Sequence, residues 1–219
     1  MRRNVNVYGN PADLKKSLLL YLCTGPVFPG RLLAEAVEDA VSGGVTMVQI
    51  REKEAAIRDF YRTVIEVKGI TDRFHIPLVI NDRIDIALAA GASGLHIGQS
   101  DLPLREARRL AGKALFIGVS VSTPEEAAQA ERDGADYLGA GAVYPTGSKA
   151  DAGEAIGLAG LADICAAVKI PVAGIGGINA ENAAGVLKAG ASGVAVISAI
   201  LSRRDTGAAA REIRSALAT

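Results

Sequence analysis

Short apolar runs rich in β-branched residues recur along the chain at 18–24, 45–50, 77–80, 94–97, 115–119, 136–139, 171–175 and 193–197. Each reads as a buried strand. Between them the apolar positions switch to helical spacing, as in Leu32, Leu33, Ala36, Val37 and Ala40, or Ala183, Val186, Leu187 and Ala189. Strand and helix alternate about eight times, and strands this apolar belong in a parallel sheet covered on both faces. A glycine phrase precedes four of the strands, at 42–45, 90–94, 133–136 and 189–193. Glycine there ends a helix in the left-handed conformation and turns the chain into the next strand, which marks the N-terminal strand ends.

Polar side chains collect at the opposite ends: Gln49, Arg51 and Lys53; Asn81 and Asp82; Gln99 and Asp101; Ser120; Thr146, Ser148 and Lys149; and Ser198, with Gly176 and Gly177 closing the seventh run. In a (β/α)₈ barrel the loops after all the strands converge on one face. The pattern predicts an α/β fold, a single-domain (β/α)₈ TIM barrel over residues 1–219, with 1–17 as an N-terminal extension. The rival is an open doubly wound sheet, which needs a glycine fingerprint after its first strand. Thr24, Gly25 and Pro26 do not supply it, and the later cluster at 174–179 has Asn179 where the third glycine belongs. No P-loop sequence occurs either.

Composition narrows this picture. Hydrophobic residues are 49% of 219 and aromatic residues only 4%, with no Trp, so Ala, Val, Ile and Leu must fill the core. Lys plus Arg equals Asp plus Glu at 24 each, so there is no long-range field to attract nucleic acid, and any anion site is local. Cys23 and Cys165 lie in apolar stretches outside any CxxC pattern, which excludes a disulfide framework and a cysteine zinc site. The basic start at Arg2 and Arg3 is separated from the apolar stretch 18–22 by Asp13, Lys15 and Lys16, unlike a signal peptide. No run approaches the roughly 18 residues that would cross a bilayer. A cytoplasmic enzyme with no membrane partner is expected, its oligomeric state left open.

Alternation along the second strand puts Val45, Met47, Gln49, Arg51 and Lys53 on one side, with the last three projecting into the barrel mouth. Arg51 and Lys53 can clamp a polyanion there, or can be a solvated strand end. Asp82 and Asp101 are each placed to cap the following helix. They also end adjacent strands, and two carboxylates without a dedicated cage suit Mg²⁺, which takes its remaining ligands from water and substrate phosphate. His96 reads as an interior histidine or a base, and His75 as a structural residue at the bottom. The long segment around 144–149 reads as a binding loop whose hydroxyls and Lys149 can take phosphate. Gly177, Ile197 and Ser198 end the last two strands, where barrels commonly hold a phosphate monoester. One mouth is thus read as holding a Mg²⁺-bridged diphosphate and a separate monophosphate.

Taken in order, Gln49-Ile50-Arg51-Glu52-Lys53, Asn81-Asp82, His96 through Asp101, Gly118-Val119-Ser120, Tyr144 through Lys149, Gly174 through Asn179 and Val196 through Ile200 resemble the thiamine-phosphate synthase family. The resemblance covers nearly the whole chain, from Leu18 to about Ala210. It implies a transferase of thiamine biosynthesis that joins 4-amino-2-methyl-5-(diphosphomethyl)pyrimidine to a thiazole phosphate, releasing diphosphate. It implies that Gln49, Arg51, Lys53, Asn81, Ser120 and Lys149 hold the pyrimidine diphosphate, with Arg51, Lys53, Lys149 and Ser120 acting in catalysis. Asp82 and Asp101 would hold one Mg²⁺ per subunit. Thr146, Gly147, Ser148, Gly177, Ile197 and Ser198 would hold the thiazole phosphate. Ser148 stands where the family usually has a second Thr in its loop, keeping the hydroxyl and losing the methyl. Two alternatives are a thiazole tautomerase-like isomerase of the same fold and a catalytically silent ligand-binding barrel. A Schiff-base aldolase fits less well, because Lys149 lies in a loop and not on an apolar strand end.

Overall fold

The computed structural model describes residues 11–148 and 153–218. Eight parallel strands close into a barrel in sequence order, with β8 pairing back to β1. They are β1 (Leu20–Cys23), β2 (Met47–Ile50), β3 (Leu78–Asn81), β4 (Gly94–Ile97), β5 (Phe116–Val121), β6 (Tyr137–Gly141), β7 (Val172–Ile175) and β8 (Gly193–Val196). All eight fall on the apolar runs of the sequence. Helix α1 (Pro11–Ser17) precedes the barrel. Helices α2 (Leu33–Ser42), α3 (Ile57–Arg73), α4 (Ile84–Ala90), α5 (Leu104–Ala111), α6 (Pro124–Arg132), α7 (Gly157–Ala167) and α8 (Ala183–Lys188) return each strand to the next. A short α9 (Ser198–Leu201) at the mouth and a final α10 (Thr206–Ala216) complete the chain order.

The strand period divides the core in two. Leu22, Val48, Ile80, Leu95, Ile117 and Leu138 point outward to the helices, while Tyr21, Met47, Val79, Phe116, Tyr137 and Ala173 fill the interior. Val45 packs in the outer set, because β2 begins only at Met47 and the alternation does not reach back to it. At the bottom, Gly44, Gly91, Gly134 and Gly190 all take positive φ, as the repeated phrases require. Gly91, at φ +64°, is the left-handed cap of α4.

Residues 11–17, expected as an extension, form a plug. Leu14 from α1 joins the interior cluster and is 3% exposed. The Thr46 hydroxyl donates to the Ser17 carbonyl (2.8 Å) and accepts from the Leu20 N–H (2.9 Å), tying the end of α1 to the starts of β1 and β2. Leu14→Ala therefore removes about 2–4 kcal/mol of stability by opening a cavity at the end remote from the mouth. Thermal melts report this as a lower Tm, with substrate KM values unchanged.

The outer ring closes through α2 and α10. Thr206 is fully buried and its hydroxyl donates to the Ala36 carbonyl (2.9 Å). A Cβ on Gly43 would overlap the Gly207 carbonyl, so glycine permits the close approach of the two helices.

Candidate active site at the barrel mouth

The C-terminal strand ends surround a cavity of about 1170 Å³. Arg51 and Lys53 enter from β2, Asn81 and Asp82 from β3, Asp101 from the loop after β4 and Ser120 from β5. Thr146, Gly147 and Ser148 enter from the loop after β6, Gly177 from the loop after β7, and Ile197 and Ser198 from the end of β8. Lys149 lies outside the described residues.

Gln49 departs from its expected place. It is 1% exposed and sits inside the barrel beneath the mouth, where its Nε2 donates to the Tyr21 hydroxyl and its Oε1 is buried with no hydrogen-bond partner among the described residues. The strand period carries Gln49 to the same side as Arg51, but one layer deeper. His96 is likewise interior, with its two ring nitrogens against the Tyr137 and Ser120 hydroxyls. His75 is exposed at the bottom with φ +54°.

The β2 end is held by a residue the sequence reading passed over. Thr24, 3% exposed at the end of β1, accepts from the Arg51 N–H (2.9 Å) and donates to the Arg51 carbonyl (3.3 Å). Its signal was its position as the one polar residue closing the first apolar run. Thr24 fixes the backbone from which Arg51 and Lys53 project.

The carboxylates are not helix caps. Arg83 is the N-cap of α4 and Pro103 that of α5, and neither helix has a side-chain cap bond. Asp82 takes φ +60°, in the left-handed region that Asp tolerates better than most residues, and its N–H donates to the His96 carbonyl (2.8 Å). Asp101 Oδ2 accepts from the Gly98 N–H (2.7 Å), so the loop after β4 folds back and turns this carboxylate toward Asp82. Burial raises the Asp82 pKa to about 6, and hydrogen bonding and charge from Asp101 push the same way. Lys53 and Arg51 oppose the rise, which places both cations in the field of the same carboxylate.

This donor set fits a hard divalent cation of incomplete protein coordination. No group of three or more His, Cys, Asp or Glu suited to a metal occurs among the described residues, which leaves two facing carboxylates whose repulsion a cation relieves. Mg²⁺ takes such sites, completing its shell with water and phosphate oxygens, whereas zinc would require more protein ligands.

Across the mouth, the second anion region is built on backbone. The loop after β6 extends the sheet: the Val143 N–H donates to the Ile175 carbonyl (2.8 Å) and the Tyr144 N–H to the Gly176 carbonyl (3.0 Å). Gly177 has φ +66°, and a Cβ there would lie 2.7 Å from the Pro145 carbonyl oxygen. The Ser148 and Ser198 hydroxyls are 2.9 Å apart, joining the β6 loop to the start of α9, and the Ser148 N–H donates to the Thr146 hydroxyl (3.2 Å). Hydroxyls and glycine backbone converge here, the chemistry of a phosphate cradle.

Residues 20–200 match the family described as thiamine monophosphate synthase. The chain is 51% identical over 195 residues to the thiamine-phosphate synthase of Clostridium novyi (strain NT), covering 89% of this chain and 96% of the relative. It is 55% identical over 184 residues to the enzyme of that name from Clostridium acetobutylicum, covering 84% and 87%. Among solved structures, thiamine phosphate pyrophosphorylase from Pyrococcus furiosus superposes with a TM-score of 0.86 at 41% identity, covering 94% of this chain and 98% of that one.

Proposed function

Because the chain belongs to the thiamine monophosphate synthase family, we propose that its mouth condenses 4-amino-2-methyl-5-(diphosphomethyl)pyrimidine with a thiazole phosphate, giving thiamine phosphate and diphosphate. The observation that carries this reading is the division of one cavity into two anion regions of different chemistry. One has two cations beside two facing carboxylates; the other is built on hydroxyls and glycine backbone.

In the first region Asp82 and Asp101 hold Mg²⁺, and Arg51 and Lys53 hold the diphosphate beside it, with Lys149 as a third cation. Bound there, the ion supplies Lewis acidity toward the diphosphate oxygens. Asn81 and Ser120 flank the pyrimidine, and the unpartnered Gln49 Oε1 offers an acceptor to a ligand N–H. Thr146, Gly147, Ser148, Gly177, Ile197 and Ser198 hold the thiazole phosphate opposite.

The reaction breaks the bond between the pyrimidine methylene carbon and the diphosphate oxygen, whose electron pair leaves with the diphosphate. The thiazole nitrogen then donates its lone pair to the methylene carbon. No proton transfer to protein is needed, so Arg51, Lys53 and Lys149 act by offsetting charge on the departing oxygens. Holding both substrates in one cavity supplies the remaining acceleration, by making the capture step effectively unimolecular. The family assignment and the Asp82–Asp101 pair favour this over a tautomerase or a silent binding barrel. Among the described residues no helix is long and apolar enough to cross a membrane, and we place the reaction in the cytoplasm.

The test is incubation of the purified protein with both substrates and Mg²⁺, followed by mass analysis. Thiamine phosphate is expected, formed only when all three are present. Turnover of a thiazole carboxylate phosphate without pyrimidine or metal would establish the tautomerase instead, and ligand-induced stabilisation without product would establish the silent barrel.

A further inference from the structure

The interior layer beneath the mouth carries a row of polar groups where aliphatic side chains ordinarily fill a barrel. Tyr21, Gln49, His96 and Tyr137 come from four different strands, and each is 5% exposed or less. Gln49 Nε2 donates to the Tyr21 hydroxyl, which lies 2.9 Å from the Tyr137 hydroxyl. That hydroxyl is 2.9 Å from His96 Nδ1, and His96 Nε2 is 2.9 Å from Ser120 Oγ. Four hydrogen bonds thus connect a buried amide to a hydroxyl in the cavity wall. The sequence makes room for the row: a Cβ on Gly118 would overlap the Tyr137 ring, and one on Gly139 would sit 3.1 Å from His96 Cε1.

The row has a direction. Burial raises the pKa of both phenols well above the ordinary value, so each keeps its one hydrogen. With Gln49 donating to Tyr21, the Tyr21 hydrogen falls to Tyr137, a stronger acceptor than the Cys23 sulfur near both phenols, and that of Tyr137 to His96 Nδ1. The imidazole then carries its proton on Nε2 and gives that hydrogen bond to Ser120. The hydrogen of Ser120 is left for the cavity. Turning the Gln49 amide round would reverse every bond and present a Ser120 lone pair instead. It would also leave a wholly unpartnered NH₂ where there is now an unpartnered carbonyl oxygen, and buried orphan donors are the rarer of the two in native proteins.

We propose that Tyr21, Tyr137 and His96 are positioning residues that hold His96 as the neutral Nε2–H tautomer, so that Ser120 meets the bound pyrimidine diphosphate as a hydrogen-bond donor. The identity of that ligand rests on the reading given under Proposed function; the tautomer does not.

The direct measurement is a long-range ¹H–¹⁵N spectrum of protein labelled at histidine nitrogens, with exposed His75 as the internal reference. His96 is expected protonated on Nε2 and bare at Nδ1, and Tyr137→Phe, which keeps the ring and removes the hydroxyl, is expected to give a mixture of tautomers. In steady-state kinetics Tyr137→Phe lowers kcat/KM for the pyrimidine diphosphate about tenfold and leaves KM for the thiazole phosphate unchanged. Ser120→Ala added to Tyr137→Phe costs no more than Ser120→Ala alone, and His96→Gln, which returns an N–H near the Nε2 position, recovers activity relative to His96→Leu. A wild-type His96 protonated on Nδ1 overturns the proposal, as does full multiplication of the Ser120→Ala and Tyr137→Phe losses. If the wild type forms no thiamine phosphate, the assigned reaction fails, while the spectrum still decides the direction of the row. If Tyr137→Phe does not fold, the wild-type spectrum decides it alone.

Discussion

Asp82→Asn and Asp101→Asn each lower kcat/KM for the pyrimidine diphosphate by about 10³-fold, while the melting temperature stays level or rises. The expectation follows from local geometry. Asn tolerates the left-handed backbone that Asp82 occupies at φ +60°, so the β3–α4 turn survives the change. At position 101 the amide oxygen still accepts from the Gly98 N–H, so the β4 loop keeps its shape. Only charge is removed. In the absence of metal, each variant loses a carboxylate that faced another carboxylate, which relieves repulsion and does not weaken the fold. With substrate, the loss falls on the group that must offset charge on the departing diphosphate, where removing one such contact typically costs about 10²–10³-fold. Circular dichroism melts beside a Mg²⁺ titration of the rate separate the two effects. Wild-type rates with unchanged metal dependence in both variants would move the cation to other ligands.

Gly177→Val is the second large effect, and it falls on the other substrate. Valine carries two penalties at this position: φ +66° is an outlier for a β-branched residue, and its Cβ would lie 2.7 Å from the Pro145 carbonyl oxygen. That oxygen belongs to backbone and cannot swing aside as a side chain would. Relief requires the loop after β6 to lift from the end of β7, carrying Thr146 and Ser148 with it. KM for the thiazole phosphate rises about 10²-fold as a result, and KM for the pyrimidine diphosphate changes far less. The fold persists, because the strain sits beyond the last ladder pairing of β7. Equal increases in the two KM values would show that the anion regions are not separately built.

The barrel was legible in the sequence because each of its parts is local. Apolar runs of strand length, helical spacing between them and the glycine turns at 44, 91, 134 and 190 each involve only neighbours in the chain. The wall of the mouth was legible for the same reason, since a strand end names its own polar residues. What depends on a turn or on depth was not settled by residue type and position. Asp82 and Asp101 have the residue type and place of caps, yet a left-handed turn at one and a bond to Gly98 at the other send both carboxylates inward. Gln49 shares the side of Arg51 but lies one layer lower, and alternation specifies a side without specifying a depth. Tyr21 and Tyr137 were passed over because their partnership spans 116 positions of sequence. The trace it left was indirect: inward-facing Gly94, Gly118 and Gly139 on consecutive strands leave a volume that only large neighbours can fill.

The docking of α10 on α2 bears on how the chain is made. A nascent chain delivers β1 and α2 early and β8 and α10 last, yet β1 pairs with β8, and Thr206 on α10 bonds to Ala36 on α2. During synthesis at about 5–20 residues per second, the two strands that will meet remain open edges, available to pair with other chains. The seam between the first and last strands is therefore the place where chaperone protection matters most and where a truncated product aggregates.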